Sequence, residues 1–95
     1  MMRSEAHVAT ATPRRYVSQL CKHFGHKVPA TFDERQGRIE FPFGIGEIET
    51  MGEDALILRV SAEDEDRLTR AEQVLGGHLE RFAFREALQV RWTRG

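Results

Sequence analysis

Two stretches of the chain place apolar residues at helical spacing, and the first runs from Thr12 to Gly25. Its start combines a hydroxyl N-cap, Thr12, with proline at the first helical position, Pro13. The apolar positions recur at i, i+1, i+4, i+5 and i+8, which forms one stripe at about 100° per residue. They are Tyr16, Val17, Leu20, Cys21 and Phe24. The pattern predicts an amphipathic helix that ends at Gly25, a typical C-cap residue.

The second stretch predicts a longer helix, from about residue 62 toward residue 85. Residues 61–64 have the S-x-x-[DE] spacing of a capping box. An apolar stripe follows, made of Leu68, Ala71, Leu75, Leu79 and Phe82. Gly76 and Gly77 interrupt the helix, and each interior glycine costs roughly 1 kcal/mol relative to alanine. The pair therefore marks either a break in the helix or a place where another surface approaches closely.

Shorter runs with extended patterns surround the two helices, at residues 6–11, 28–33, 38–43, 47–50, 55–60 and 88–93. The run at 55–60 is nearly all apolar, which is typical of a central strand covered on both faces. Pro42 predicts an edge strand or a bulge, because proline cannot donate to a sheet ladder. Residues 44–46 and 52–54 are predicted turns. The run at 88–93 alternates cleanly and predicts a closing strand.

These elements give the order β-α-β-β-β-β-α-β. The simplest arrangement is a single α+β domain over residues 1–95, with a mostly antiparallel sheet and both helices on one face. Residues 1–5 are predicted to form a flexible N-terminus. Two helices that share a sheet face are neighbours, so the residues at their C-terminal ends can meet.

Composition narrows the class of function. The formal net charge of −1 argues against nucleic acid as a partner, because that binding needs a basic excess. No apolar run follows the N-terminus as a signal peptide requires, and none reaches the length of a membrane span. The single cysteine cannot form an internal disulfide. We therefore expect a cytoplasmic protein without a membrane or nucleic-acid partner.

Three of the four histidines lie in the stretches 20–27 and 76–86, together with several cations. The candidate ligand-binding residues are His23, His26, Lys27, His78, Arg81 and Arg85. If the helix ends meet, these side chains form a cationic patch for a carboxylate, a phosphate or an anionic chelate. The alternative is structural: cations are favoured at helix C-termini and pair with nearby Glu80 or Glu86.

Metal binding and catalysis are two further interpretations. The candidate metal ligands are Cys21, His23, His26 and His78, although no CxxC or HExxH spacing accompanies them. A nucleophilic pair of Cys21 with His78, oriented by Glu80 or Glu86, lacks a recognisable oxyanion loop. The sequence therefore favours a non-enzymatic protein with no predicted cofactor and no catalytic residues.

Several segments also carry a resemblance to a known family. They are Arg15-Tyr16, Leu20-Cys21-Lys22-His23-Phe24, His26-Lys27-Val28-Pro29, Gly37-Arg38-Ile39, Phe41 to Gly44, and His78 to Glu86. The chain resembles the bacterial family known as domain of unknown function 2218. Members of that family are sometimes joined to or encoded near siderophore-interacting flavoproteins, which implies a link to iron handling but assigns no activity.

Two functions follow as hypotheses. The first is a non-enzymatic binding or accessory domain whose cationic patch takes a small anion or an iron chelate. The second is a structural or interaction module that docks to a flavin-dependent reductase through the open face of the sheet. That face is predicted to present Arg38, Glu40, Gln89, Arg91 and Thr93.

Overall fold

The computed structural model describes all of residues 1–95 and confirms the predicted order of elements. The helices are α1 (Pro13–Phe24) and α2 (Glu65–Phe82). The strands are β1 (Met2–Ala9), β2 (Ala30–Phe32), β3 (Gln36–Phe41), β4 (Gly44–Met51), β5 (Ala55–Ala62) and β6 (Thr93–Arg94). All six strands belong to one antiparallel sheet in the order β2-β3-β4-β5-β1-β6. The α+β class predicted from the sequence is therefore correct.

The first and last strands of the chain close the sheet on one side. β1 pairs along the whole of β5, from Met2 opposite Ala62 to Ala9 opposite Ala55. The two-residue strand β6 then pairs with Ser4 and Glu5 on the outer edge of β1. Residues 2–5, which we expected to be flexible, therefore belong to a strand. Their pairing with β5 and β6 explains the difference, because a single sequence does not show which strands are neighbours.

Both helices pack on one face of the sheet, and alternate strand residues meet them there. The core contains 19 buried residues, drawn from both helices and from β1, β3, β4 and β5. All five apolar residues of the α1 stripe are buried in it. Leu68, Leu75 and Leu79 of α2 are 0% exposed. Each buried leucine stabilises the fold by roughly 1.5–3 kcal/mol, so these stripes hold the helices to the sheet.

The other face of the sheet has no helix over it. Lines of charged side chains cross it, including Glu5, Arg59 and Glu49 on three adjacent strands. β5 is central, as its apolar sequence predicted, but only one of its faces is covered by helices. Ile57 points to the uncovered face and is nevertheless only 5% exposed. Its cross-strand partners are Glu49 and His7, whose side chains flank it.

Two local predictions about β-structure were wrong at the β3–β4 connection. Pro42 and Phe43 form the turn, and the ladder resumes at once with Phe41 opposite Gly44. Pro42 therefore marks neither an edge strand nor a bulge, since β3 lies between β2 and β4. The predicted turn at 44–46 is instead the start of β4. A turn at Pro42 leaves every following amide free to donate to the ladder.

Both predicted helix caps also differ in detail. The N-cap of α2 is Asp64, whose side chain accepts a hydrogen bond from the Arg67 amide at 2.8 Å. Ser61 lies inside β5, so the proposed capping box does not form. Thr12 precedes α1 but makes no side-chain cap, while Pro13 holds the first helical position as predicted. Because Ser61 belongs to β5, the N-cap side chain of α2 is instead that of Asp64.

The glycine pair in α2 does not break the helix. It marks a place where another segment of the chain approaches closely. α2 continues through both residues to Phe82. A Cβ on Gly76 would lie 3.1 Å from the Trp92 ring nitrogen and 3.2 Å from a Val90 methyl, whereas one on Gly77 would meet nothing within 4 Å. Gly76 therefore lets residues 88–92 cross the helix. Of the predicted closing strand, only Thr93 belongs to β6, because Leu88, Val90 and Trp92 pack against the helix-side core.

Candidate functional site

The ends of the two helices meet and bring His23 of α1 against His78 of α2. Their ring centroids lie 5.0 Å apart, with the ring planes tilted by 41°. The two residues are 55 positions apart in the chain, so only the shared sheet face brings them together. His23 is exposed and His78 is half-buried. The contact between these two helix ends is the geometric basis of the site.

Phenylalanine rings support this histidine pair from below and from the side. The Phe24 ring is buried and lies 4.8 Å from His78, centroid to centroid. The Phe82 ring meets His23 edge-on at 5.3 Å. Phe24 in turn packs on Phe41 of β3 at 4.9 Å, which ties the cluster to the sheet. Because aromatic packing restricts side-chain rotation, these phenylalanine contacts limit the orientations of the two imidazole rings.

A hydrogen bond to the backbone defines the tautomer of the neutral His78 ring. Its Nδ1 lies 2.7 Å from the backbone carbonyl oxygen of Val74, one helical turn earlier. A carbonyl oxygen can only accept, so Nδ1 carries the proton and donates it. In the neutral ring, Nε2 is therefore the unprotonated nitrogen with its lone pair directed away from that bond.

Cations gather around His23 without matching anions. Burial lowers the pKa of His23, and the positive charges of His78, His26, Lys27 and Arg81 lower it further, in that order. We call His23, His26, Lys27, His78 and Arg81 the histidine patch. None of its members forms an ion pair with a carboxylate. The positive charges of Lys27 and Arg81 therefore lie near His23 with no carboxylate paired to either of them.

The two acids that could have neutralised the patch are used elsewhere. The Glu80 carboxylate accepts a hydrogen bond from the Val90 amide at 2.9 Å. Glu86 accepts from the hydroxyls of Thr10, at 2.8 Å, and Tyr16. These bonds fasten the C-terminal segment to α2 and to the start of α1. The alternative in which Glu80 or Glu86 pairs with the nearby cations is not what the structure shows.

The Glu86 contacts are the part of this region that sequence reasoning missed. Hydrogen bonds from Tyr16 and then Thr10 lower the pKa of Glu86, and burial together with the Glu86 bond raises the pKa of Tyr16. Tyr16 was assigned to the core stripe, where its ring indeed lies. A buried tyrosine needs a partner for its hydroxyl, and that need was the available signal. The 76–86 stretch is thus partly an anchoring motif.

Two predicted residues stand apart from the patch. Arg85 follows the end of α2, and its guanidinium carbon lies 5.7 Å from the centre of the exposed Phe84 ring. Cys21 is 1% exposed, and its Sγ fills the space that a Cβ on Gly37 of β3 would need. Burial raises the pKa of the Cys21 thiol to about 11. Such a thiol is neither an accessible metal ligand nor a nucleophile at neutral pH.

The four candidate metal ligands do not all come together in the structure. The structure has no cluster of three or more His, Cys, Asp or Glu side chains arranged to hold a metal ion. Of the four candidate ligands, it brings only His23 and His78 into ring contact. Cys21 is enclosed by the core, and His26 is exposed beyond the end of α1.

Several depressions of the surface lie on the uncovered sheet face and around its edges. One of about 690 Å³ is lined by residues that include Arg3, Glu5, Arg38, Glu47 and Arg59. Its charges are already matched, since Arg59 donates to Glu5 at 2.9 Å and to Glu49 at 3.0 Å. The patch is by contrast an open surface, which suits a ligand held from one side.

Fold and site together define the class of protein: a small α+β domain whose two helices end in an aromatic-supported histidine pair. None of its helices is long and apolar enough to cross a membrane. The chain belongs to the family described as "Uncharacterized protein conserved in bacteria (DUF2218)", whose model matches residues 5–93. The resemblance seen in the sequence is therefore confirmed.

A solved structure shares this fold. The chain is similar to PA4090 from Pseudomonas aeruginosa, whose structure was determined by NMR, with 35% sequence identity and a TM-score of 0.83. The similarity covers 98% of this chain and 96% of that one. No curated protein matches the chain.

Proposed function

We propose that this protein is a non-enzymatic binding domain and that the histidine patch receives a small multivalent anion. The observation that carries the proposal is a group of five cationic or titratable side chains with no carboxylate paired to any of them. Elsewhere in the molecule some arginines are ion-paired, as Arg59 and Arg94 are. An anion at the patch would supply the missing negative charge.

The donor types suit an anion with several oxygen atoms. Arg81 offers a planar fork of N–H groups, and Lys27 offers a mobile ammonium. The imidazoles add further donors when protonated, and a bound anion favours that protonated form. Phosphate, citrate and polycarboxylate chelates all present two or more oxygens that can accept from such donors. A monovalent anion would engage fewer of these donors and bind more weakly.

A binding role fits better than catalysis. The sole thiol is buried with a raised pKa, and the two carboxylates nearest in sequence to the patch are hydrogen-bonded elsewhere. The patch is also an open surface without a cleft that excludes water, as most catalysis requires. An iron chelate remains a ligand that the family resemblance suggests, so a ferric chelate belongs among the probes.

Chemical-shift titration with phosphate, citrate and ferric citrate tests the proposal. We expect the His23, Lys27 and Arg81 signals to move together and to saturate with citrate. Arg81→Gln should weaken citrate binding about twofold to fivefold, the usual size of an exposed charge contact. Arg38→Gln, an arginine on the opposite face, is the matched control. Saturable shifts elsewhere with a silent patch would refute the proposed site.

Docking to a flavin-dependent reductase through the uncovered sheet face is the second proposal. Arg38 and Glu40 lie on β3 and Thr93 on β6, whereas Gln89 and Arg91 lie in the irregular segment before β6. The volume of the depressions on this face supports a partner, but its matched charges offer little electrostatic attraction. Residues 88–92 pack against α2 and not on this face, so the test is a charge reversal at Arg38 alone. It should weaken reductase capture if the proposal holds.

A further inference from the structure

We propose that His23 and His78 together coordinate a borderline divalent transition-metal ion, copper(II) or nickel(II), presented as an anionic chelate. This inference deepens the proposed function by naming the ligand class. It rests on that function only for the acidic groups of the chelate, because the metal contact stands on the two imidazoles alone.

The spacing of the rings suits two ligands of one metal ion. A metal–nitrogen bond of about 2.0–2.1 Å places the ion roughly 3.2 Å from each imidazole centre. Two rings bound at tetrahedral or square-planar angles then lie roughly 4.5–5.3 Å apart. The observed separation of the His23 and His78 centroids is 5.0 Å. His23 is exposed in the last turn of α1, so an ion can reach its ring from solvent.

His78 already has the surroundings of a metal ligand. Histidines that bind metals usually donate their second ring N–H to a carboxylate, a backbone carbonyl or water, which fixes the tautomer and the ring orientation. His78 donates Nδ1–H to the Val74 carbonyl at 2.7 Å and keeps Nε2 as the lone-pair nitrogen. Phe24 and Phe82 restrict the two rings on the protein side. The pair is therefore preorganised in part.

The surrounding charges select a chelate over the bare ion. Lys27 and Arg81 repel a free divalent cation near His23. A polycarboxylate bound to the metal reverses that effect, since its carboxylates pair with these two side chains. Two protein ligands also leave coordination positions for the chelator, whereas structural zinc sites take four protein ligands. Copper(II) and nickel(II) bind imidazole strongly in the divalent series, so they are the ions of choice.

Tag-free protein, titrated with copper(II) sulfate, copper(II) citrate and metal-free citrate, tests the inference by calorimetry and copper EPR. We expect one copper per chain, nitrogen hyperfine structure from two imidazoles, and tighter binding of the citrate complex than of the bare ion. His23→Gln and His78→Gln should each weaken copper binding about tenfold or more, because second-shell losses alone reach that size. His7→Gln, on the opposite face, is the control.

The outcomes separate this inference from the proposed function. Unchanged copper affinity in His23→Gln, whose side chain is exposed and whose removal spares the core, overturns the metal site. EPR that shows a single imidazole overturns it as well. If metal-free citrate still binds through Lys27 and Arg81, the anion proposal survives that failure. If copper binds through both histidines while metal-free citrate does not bind, the metal site stands and the anion proposal falls.

Discussion

The histidine patch and the uncovered sheet face both carry charged side chains but pair them differently. On the sheet face, Arg59 bridges Glu5 and Glu49, and Arg38 lies 3.9 Å from Glu47. At the patch, Lys27, Arg81 and the histidines share their surface with no ion-paired acid. The charges of Arg59 and Arg38 are thus matched within the molecule, whereas those of Lys27 and Arg81 are not.

The same contrast predicts how the two regions respond to mutation. Where charges are paired, removing one partner lowers stability and leaves ligand binding intact. Where they are unpaired, removing one leaves stability unchanged or improves it and weakens ligand binding. The following substitutions test this, from the largest expected effect on stability to the smallest.

Leu79→Ala should cause the largest loss of stability, because Leu79 is 0% exposed beneath the patch. A buried leucine-to-alanine change costs about 2–5 kcal/mol, from lost burial and the cavity that remains. Chemical denaturation measures the free energy of unfolding. Met51→Ala, at a side chain 44% exposed, is the control and should change stability by less than about 0.5 kcal/mol. Equal losses in both would contradict the assigned core.

Glu72→Gln should lower stability by about 1–3 kcal/mol, since it leaves Arg94 without its principal partner. Arg94 donates to both Glu72 oxygens, at 3.1 and 3.0 Å, and fastens β6 to α2. Burial raises the pKa of Glu72, but hydrogen bonds from Arg94 and Ser4 outweigh it and hold the pKa below its ordinary value of 4.5.

The lowered pKa of Glu72 determines how its contribution to the stability of the fold depends on pH. The carboxylate contributes its full stabilisation above the ordinary pKa of 4.5, the value in the unfolded chain. That contribution is lost as the pH falls through the lower pKa of the folded state. Unfolding free energies measured between neutral and acid pH should therefore converge for the wild type and Glu72→Gln. A difference that stays constant down to the lowest pH would contradict the assignment.

Glu49→Gln should lower stability by only about 0.2–1 kcal/mol, the range of exposed ion pairs. The Glu49 and Arg59 side chains are each 42% exposed, so water screens their attraction. Added salt should reduce the effect further. We expect citrate binding at the patch to be unchanged in this variant. A change in citrate affinity would show that the two faces are coupled.

Arg81→Gln should have the smallest effect on stability, zero or slightly favourable, because it removes repulsion and breaks no ion pair. The same change should raise the pKa of His23, since Arg81 is one of the charges that lower it. NMR titration of the His23 ring protons measures that shift, with Arg38→Gln as the control. A stability loss above about 1 kcal/mol would mean that Arg81 has a structural partner.

Local periodicity predicted the helices well because each stripe is encoded within one segment. The stripes of α1 and α2 were identified as the faces that meet the sheet, and they are buried there except for Phe82, which is half-buried. Elements that depend on distant partners were predicted less well. Residues 88–92 alternate like a strand, yet they pair with no strand and pack against α2 at Gly76 instead. Met2–Glu5 shows the reverse error, because β5 and β6 order it.

The candidate site, too, was predicted only in part from the sequence. The residues 20–27 and 76–86 by themselves determined which side chains could bind an anion or a metal ion, and helical spacing determined that they lie at helix ends. Only the tertiary structure decided that His23 and His78 touch, that Cys21 is enclosed against Gly37, and that Glu80 and Glu86 are occupied elsewhere. The physical reason is that burial and pairing are properties of neighbours in space, and a sequence specifies neighbours only along the chain.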